Sequence, residues 1–360
     1  MNNEKISRDA VLAALSKVEE PELHQDLVHL NMIQNLEITD NSVQFEIILT
    51  TPACPLKSKI EADARRAVLA VPGVESVSVQ LKANVPTDGR NRGLMPLPVK
   101  NAVAIASGKG GVGKTTVAVN LAVSLAQSGA KVGLLDADIY GPNVPTMMGV
   151  DHLPPMTEKK MVPAEVYGVK VMSIGFLVPQ GRALIWRGPM LHSAIRQFIS
   201  DVDWGELDYM LIDLPPGTGD AQLSLAQTLP LSGGVIVTLP QAVSLEDASR
   251  GMQMFRELNV PILGVVENMS YLELADGSRM DVFGQGGGEQ LAKSAGVTFL
   301  GAIPMEPLVR VGGDEGKPIV LTHPNSAAGK ALRSVAEQLA ARLSVEAYKN
   351  QPAVKIEMIG

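Results

Sequence analysis

The chain has 360 residues, of which 46% are hydrophobic and 19% charged, and its formal net charge is −7. This composition is typical of a globular protein with a core large enough for a sizeable sheet. The negative charge argues against nucleic acid or an anionic membrane as a partner, and no apolar run reaches the roughly 18 residues that a membrane span needs.

Residues 1–82 are predicted to form a small α+β unit. Apolar residues at helical spacing predict a first helix that ends before Pro21, and alternating residues predict a hairpin that turns at Asp40. A second helix is expected to start at Pro55, and a last strand to cover 77–81. The N-terminal sequence lacks the apolar core of a secretory signal, so we expect a cytoplasmic protein.

Residues 83–100 are rich in proline, glycine and charge. Their apolar residues follow neither the helical nor the strand period, which predicts a linker. From 101 to 350, short apolar runs alternate with helical segments, a pattern typical of a parallel sheet with helices on both faces. The runs are AVAIA, VGLLD, VKVMSI, YMLID, GVIVT, ILGVVEN and TFLGAI. We therefore predict an α/β fold for this part and a closing helix over about 326–344.

One glycine-rich segment lies between the strand AVAIA and a helix and fits the pattern G-x-x-x-x-G-K-T. In this context the motif predicts a P-loop, whose backbone N–H groups bind phosphates. Lys114 is expected to reach the β- and γ-phosphates, and Thr115 to offer its hydroxyl to Mg²⁺. The predicted ATP-binding residues of the loop are Gly108, Lys109, Gly110, Gly111, Val112, Gly113, Lys114, Thr115 and Thr116.

Acidic residues end two of the apolar runs. Asp213 closes YMLID and is the expected metal-supporting carboxylate, while Gly217 after it is expected to offer its N–H to the γ-phosphate. Asp136 and Asp138 follow VGLLD. Asp136 either serves the site or merely caps a turn, whereas Asp138 is expected to orient the attacking water or to hold the metal.

A second lysine, Lys109, stands at the front of the loop, separated from Lys114 by glycines. Phosphoryl transfer gains from a positive charge that another subunit can supply in trans. We expect Lys109 to act on a partner's nucleotide and thus to make hydrolysis depend on a homodimer. By principle alone, a solvated surface lysine is an equal alternative. The expected catalytic residues are Lys109, Lys114 and Asp138.

The segment G-K-G-G-V-G-K-T-T resembles the deviant Walker A motif of the MinD/ParA class of P-loop ATPases. D-A-D-I-Y-G-P-N, D-L-P-P-G-T-G-D and E-N-M-S-Y resemble, more narrowly, the Mrp-type iron–sulfur cluster carriers, and 1–82 is similar to the MIP18-like (DUF59) domain. The resemblance implies ATP, Mg²⁺, a homodimer, iron–sulfur scaffold proteins and client apoproteins. It also implies that Asn268 contacts adenine and that Pro304 walls the adenine pocket.

The sequence departs from this family in its cysteines. Members usually carry C-x-x-C after N-M-S-Y, but here 272–282 has none, and the single cysteine is Cys54. A [4Fe–4S] cluster usually takes four thiolates, so the usual binding mode is excluded. Because Cys54 precedes Pro55 and the predicted second helix, its pKa is expected to be lowered, which makes it a possible thiolate ligand. A buried, inert thiol is the alternative.

Three functions stay open at this point. The first is an ATPase that receives and delivers iron–sulfur clusters. The second is a positioning switch of the MinD/ParA kind, and the third is a scaffold whose shape ATP sets. The C-terminal sequence Y-K-N-Q-P-A-V-K-I-E-M-I-G has only two lysines and little amphipathic character, which disfavours a membrane anchor.

Overall fold

The structure is a computed structural model that describes residues 6–88, 98–156, 160–177, 188–274 and 276–350. The N-terminal unit contains two helices, a three-stranded sheet and a small strand pair. Its elements are α1 (Arg8–Leu15), β1 (Glu19–Glu20), β2 (Gln25–Asp26), β3 (Ile33–Thr39), β4 (Ser42–Leu49), α2 (Lys57–Leu69) and β5 (Ser76–Ala83).

The predicted hairpin is confirmed, since β3 and β4 pair antiparallel around Asp40, which has a φ of 50°. Strand β5 pairs parallel with β4, and α2 is the crossover between them. The second helix begins two residues after Pro55, at Lys57. The apolar faces of α1, α2 and the sheet share one core, in which Phe45 is fully buried.

The larger unit starts with β6 and ends with a long helix. In chain order its elements are β6 (Val99–Ala106), α3 (Lys114–Gln127), β7 (Val132–Asp136), α4 (Val144–Met148), β8 (Ala164–Val166), β9 (Val169–Ser173), the 3₁₀ turn Ile174–Leu177, α5 (Gly188–Ser200), β10 (Leu207–Asp213), α6 (Asp220–Thr228), β11 (Gly233–Thr238), α7 (Ala242–Glu257), β12 (Ile262–Glu267), β13 (Leu272–Glu273), β14 (Arg279–Met280), α8 (Gly287–Ala295), β15 (Phe299–Ala302), α9 (Pro307–Asp314), α10 (Ile319–Thr322) and α11 (Ala327–Lys349).

Eight of these strands form one sheet in the order β15-β12-β11-β6-β10-β7-β9-β8. All neighbours are parallel except β8, which pairs antiparallel with β9 at the edge. Alternate residues of β6 pack on opposite faces. Val103 and Ile105 face the cluster that includes α3 and α11, whereas Ala104 faces the cluster that includes α5, α7 and α8. The predicted α/β fold, with a mostly parallel sheet covered on both faces, is confirmed.

The proposed linker is shorter at both ends than the sequence pattern predicts, because β5 continues to Ala83 and β6 starts at Val99. Its first part packs on the larger unit. Val85 is 5% exposed within that unit's core, and Asn101 Nδ2 donates to the Pro86 carbonyl at 3.0 Å. Residues 89–97 lie outside the described residues. None of the described helices is both long and apolar enough to cross a bilayer.

Candidate active site

The P-loop lies between β6 and α3, as predicted. Gly111 and Gly113 have φ of +81° and +82°, a region that residues with a Cβ rarely adopt. A Cβ at Gly113 would lie 2.2 Å from Asn268 Nδ2, and one at Gly108 would lie 2.1 Å from the Asp247 carbonyl carbon in α7. The glycines therefore allow both the loop's conformation and its close packing against two neighbouring segments.

Replacement of Gly113 with alanine is expected to weaken ATP binding, because the new methyl group would displace the Asn268 amide from the loop. Gly129→Ala is a matched control. Gly129 also has a positive φ, of +102°, but no heavy atom lies within 4 Å of its added Cβ. Gly129→Ala should lose roughly 1 kcal/mol of stability and Gly113→Ala more, because its Cβ also meets Asn268. Only Gly113→Ala should lose nucleotide affinity in a titration with fluorescent ATP. Equal losses of ATP affinity in the two variants would contradict a specific role of Gly113 at the nucleotide site.

Three predicted residues meet at the carboxyl end of β10. Lys114 Nζ donates to Asp213 Oδ1 at 2.7 Å, and Thr115 Oγ1 donates to Asp213 Oδ2 at 2.6 Å. The strand register accounts for this meeting, because Asp213 pairs with Ile105 of β6, just before the P-loop. Asp138 joins the group, with its Oδ2 3.4 Å from Lys114 Nζ.

These carboxylates are deeply buried around one lysine. Burial raises the pKa of Asp213, and the Lys114 charge opposes that rise. Burial, and next the Asp213 charge, raise the pKa of Asp136 to about 8. A nucleotide that drew Lys114 towards its phosphates would leave the carboxylates without their cation, so the site suits a metal ion that arrives with the nucleotide.

Asp136 also has a structural role. Its Oδ1 accepts from the Asp138 N–H, and its Oδ2 accepts from the Val144 N–H and from Ser173 Oγ. These bonds fix the turn after β7 and thereby the position of Asp138. Of the two interpretations left open for Asp136, turn capping is the one that its contacts support.

The donor atoms fit Mg²⁺, which prefers hard oxygen ligands. They are the Thr115 hydroxyl and the carboxylates of Asp138 and Asp213. Among the described residues, no three His, Cys, Asp or Glu side chains form a cluster that could hold a metal by itself. Mg²⁺ commonly takes one or two carboxylates together with phosphate oxygens and water. When bound, the ion neutralises charge on the phosphates.

Lys109 and Gly217 both have partners within the chain. Lys109 Nζ donates to Gln241 Oε1 at 3.1 Å, and the Gly217 N–H donates to the Ser107 carbonyl at 3.0 Å. Both groups must leave these partners before they can bind a phosphate. Gln241 was not predicted as a site residue, although it follows the carboxyl end of β11, where ligand-binding residues of parallel sheets lie.

Asn268 and Pro304 are brought to one region, next to the P-loop. Asn268 Nδ2 donates to the Val112 carbonyl at 2.8 Å. The segment before Pro304 runs beside Asn268, since the Ile303 N–H donates to the Glu267 carbonyl at 2.8 Å. Glu267 was not predicted. Its buried carboxylate accepts from Ser270 Oγ and the Gly288 N–H and so ties this region to α8.

The expectation of a lowered pKa for Cys54 is wrong. The thiol lies three residues before α2, is 7% exposed and packs in the core of the N-terminal unit. Burial raises its pKa to about 11, and the backbone hydrogen bond from Leu56 only partly offsets the effect. The alternative, a buried thiol, describes Cys54 in this conformation.

Alkylation of Cys54 is therefore expected to be slow in the folded protein. A rise of two pKa units, from 9.0 to about 11, lowers the thiolate fraction near neutral pH about a hundredfold. The rate constant with iodoacetamide at pH 7.5 should be at least that much lower than in urea. In the folded protein the rate constant should rise with pH up to about pH 11. A rate constant that levels off below pH 9 would show that the pKa of the Cys54 thiol is not raised.

Comparisons with known proteins agree with this geometry. Residues 98–340 match the family model described as NUBPL iron-transfer P-loop NTPase, and residues 8–81 match an iron–sulfur cluster assembly protein model. An iron–sulfur cluster carrier protein of Synechocystis is 50% identical over 355 residues, which cover 95% of this chain and 99% of that protein.

Two solved structures share the fold of the larger unit. A nucleotide-binding protein from Archaeoglobus fulgidus in complex with ADP is 36% identical, with a TM-score of 0.57 over 64% of this chain and 90% of that one. The cell division ATPase MinD from Pyrococcus furiosus is 26% identical, with a TM-score of 0.51 over 66% and 97%. The chain therefore belongs to the NUBPL-type iron-transfer P-loop NTPases, an ATPase family of the ParA/MinD class.

Proposed function

We propose that the protein binds ATP with Mg²⁺ at the carboxyl edge of β6 and β10 and uses its hydrolysis to carry iron–sulfur clusters to apoproteins. The observation that carries the nucleotide site is the meeting of Lys114, Thr115 and Asp213, at 2.7 and 2.6 Å. Cluster carriage is supported by relatives named as iron–sulfur cluster carriers.

Within this proposal the P-loop and the residues around it have separate roles. Backbone N–H groups of 108–116 bind the phosphates together with the N-terminus of α3. Lys114 moves from Asp213 to the β- and γ-phosphates. Asp138 holds the metal or orients the attacking water, and Gly217 exchanges the Ser107 carbonyl for the γ-phosphate. Asn268 and Pro304 bind the adenine.

The proposal includes a homodimer in which Lys109 acts on the partner's nucleotide. In one subunit Lys109 is half-buried and bonded to Gln241. That single neutral acceptor is a weaker partner for an ammonium group than a phosphate oxygen is. Apposition of two P-loop faces would let each Lys109 exchange Gln241 for a phosphate across the interface.

The cluster cannot be held by this chain's own thiolates alone. One cysteine per subunit gives a homodimer two thiols, and Cys54 is buried and protonated at neutral pH. We therefore propose that client or scaffold proteins contribute ligands while the cluster is carried. The cytoplasm, a reducing compartment, suits a cargo of this kind.

Anaerobic reconstitution tests cluster carriage directly. Wild-type protein and Cys54→Ser are incubated with iron and sulfide, then desalted, and bound iron and visible absorption are measured with and without an apoprotein acceptor. We expect little retained iron without the acceptor, because Cys54 is buried and its pKa is raised to about 11, and iron that depends on Cys54 when the acceptor supplies further ligands. Equal iron in both proteins would remove Cys54 as a ligand. Iron in neither, with or without an acceptor, would favour the second candidate, a nucleotide-dependent switch or scaffold, which the absence of C-x-x-C supports.

A further inference from the structure

The side-chain amide of Asn268 has a fixed orientation. Its Nδ2 lies 2.8 Å from the Val112 carbonyl oxygen, and because a carbonyl can only accept, the amide nitrogen has to face it. Within the described part of the chain, neither Oδ1 nor the second Nδ2 hydrogen of Asn268 has a further partner. The amide thus offers one donor and one acceptor, which match N6 and N7 of adenine, whereas guanine presents two acceptors, O6 and N7, at that edge.

Asn268 lies in a tight turn that the Glu267 carboxylate closes. Glu267 Oε1 accepts from Ser270 Oγ at 2.5 Å, across the two residues between them. One of these, Met269, has a φ of 50°, a conformation that is uncommon for a residue with a Cβ and persists where surrounding contacts hold it. The bond between Glu267 and Ser270 is one such contact, so the position of the Asn268 amide depends on it.

The second carboxylate oxygen of Glu267 is held by the start of α8. Glu267 Oε2 accepts from the Gly288 N–H at 2.6 Å, in the first turn of the helix, where the helix dipole favours a negative charge. A side chain at 288 would prevent this approach, because its Cβ would lie 2.9 Å from Glu267 Cβ. Glu267 is 1% exposed, so these two donors replace water at its oxygens and give the carboxylate one defined position.

The same turn supports the segment that leads to Pro304. The Ile303 N–H donates to the Glu267 carbonyl at 2.8 Å, and the Ser270 N–H donates to the Ile303 carbonyl at 2.9 Å. Both ends of the turn are therefore bonded to the residue before Pro304. If the turn opens, Asn268 and Pro304 lose their common support.

We propose that Glu267 is a positioning residue for the nucleobase: by closing the turn onto Ser270, its carboxylate sets the Asn268 amide for adenine and so gives the site a preference for ATP over GTP. The inference rests on the proposed ATP site and on Asn268 as its base contact. Glu267 acts through Asn268, since its own two carboxylate oxygens are taken by Ser270 and Gly288.

Three variants separate the two bonds of the carboxylate. Ser270→Ala opens the turn and leaves Glu267 bonded to Gly288, whereas Glu267→Ala removes both bonds. Glu267→Gln keeps both, because an amide can accept from the Gly288 N–H and donate to Ser270 Oγ. Binding of non-hydrolysable ATP and GTP analogues and of inorganic tripolyphosphate, which has no base, is measured by titration calorimetry with Mg²⁺ present.

Ser270→Ala is expected to lose about fivefold in affinity for the ATP analogue, as for one net hydrogen bond, and to bind the GTP analogue and tripolyphosphate as wild type does. Glu267→Ala should lose at least as much, and Glu267→Gln should stay within about twofold of wild type. Ser232→Ala is the matched control. Ser232 is also buried, but its Oγ accepts from the Ala102 N–H at 2.9 Å just before β11 begins, at the strand end away from the P-loop. It should bind all three ligands as wild type does.

An unchanged ratio of ATP to GTP affinity in Ser270→Ala would overturn the proposal and leave the ATP site standing, as would equal losses for the ATP analogue and tripolyphosphate. This variant also decides the matter if Glu267→Ala does not fold. A wild-type protein that binds the two nucleotide analogues equally would overturn the proposal as well. A wild-type protein that binds none of the three ligands would refute the proposed ATP site itself, and the inference with it.

Discussion

Lys114→Ala is expected to abolish ATP binding, with a loss of at least about a hundredfold in affinity. Lys114 is 5% exposed, its Nζ lies 2.7 Å from Asp213 Oδ1, and it begins α3, the helix whose N-terminus we propose to bind the phosphates. Charge-assisted hydrogen bonds of this kind contribute about 1.5–3 kcal/mol each, and two of them correspond to a hundredfold or more. Equilibrium binding of a fluorescent ATP analogue is the measurement.

Lys131→Ala is the matched control, because Lys131 follows the same helix but its side chain is exposed, with Nζ 4.0 Å from Glu206 Oε2. It should bind ATP as wild type does. The Lys114 variant also leaves Asp213 buried without its cation, so circular dichroism has to show that the variant is folded. A folded Lys114→Ala protein with unchanged affinity would refute the phosphate-binding role.

Lys109→Ala is expected to bind ATP normally and to lose turnover by roughly a thousandfold, the lower end of the effect of a charge supplied in trans. ATP binding should stay normal because Lys109 is bonded to Gln241, whereas Lys114 is the lysine that contacts Asp213 at the proposed phosphate site. Steady-state phosphate release and ATP binding are measured on the same preparation. Normal turnover would remove Lys109 from the catalytic machinery.

Two controls separate a trans role from a local one. Gln241→Ala removes the intramolecular acceptor but keeps the Lys109 charge, so it should retain turnover; a loss equal to that of Lys109→Ala would indicate that the local contact matters. Mixed dimers of Lys109→Ala and Lys114→Ala contain one site with an intact Lys114 and a partner's intact Lys109. Recovered turnover in the mixture is expected only if the lysine acts across the interface.

The fold class, the P-loop and the strands that end in Asp136 and Asp213 can be predicted from the amino-acid sequence alone. These features depend on local patterns: apolar runs set the strands, and the glycine spacing with Lys114 and Thr115 sets the loop between strand and helix. The family resemblance depended on the same contiguous segments, and the single cysteine already excluded the usual cluster ligands.

The contacts of each side chain, by contrast, depend on how distant segments pack together. Burial raises the pKa of Cys54 where its place before a helix had suggested the opposite. Gln241 is 132 residues from Lys109, and Tyr209 is 158 residues from Thr51. No local period encodes such contacts, because they form when strand order and helix packing bring separate segments together, and that packing also fixes how much water each ionisable group retains.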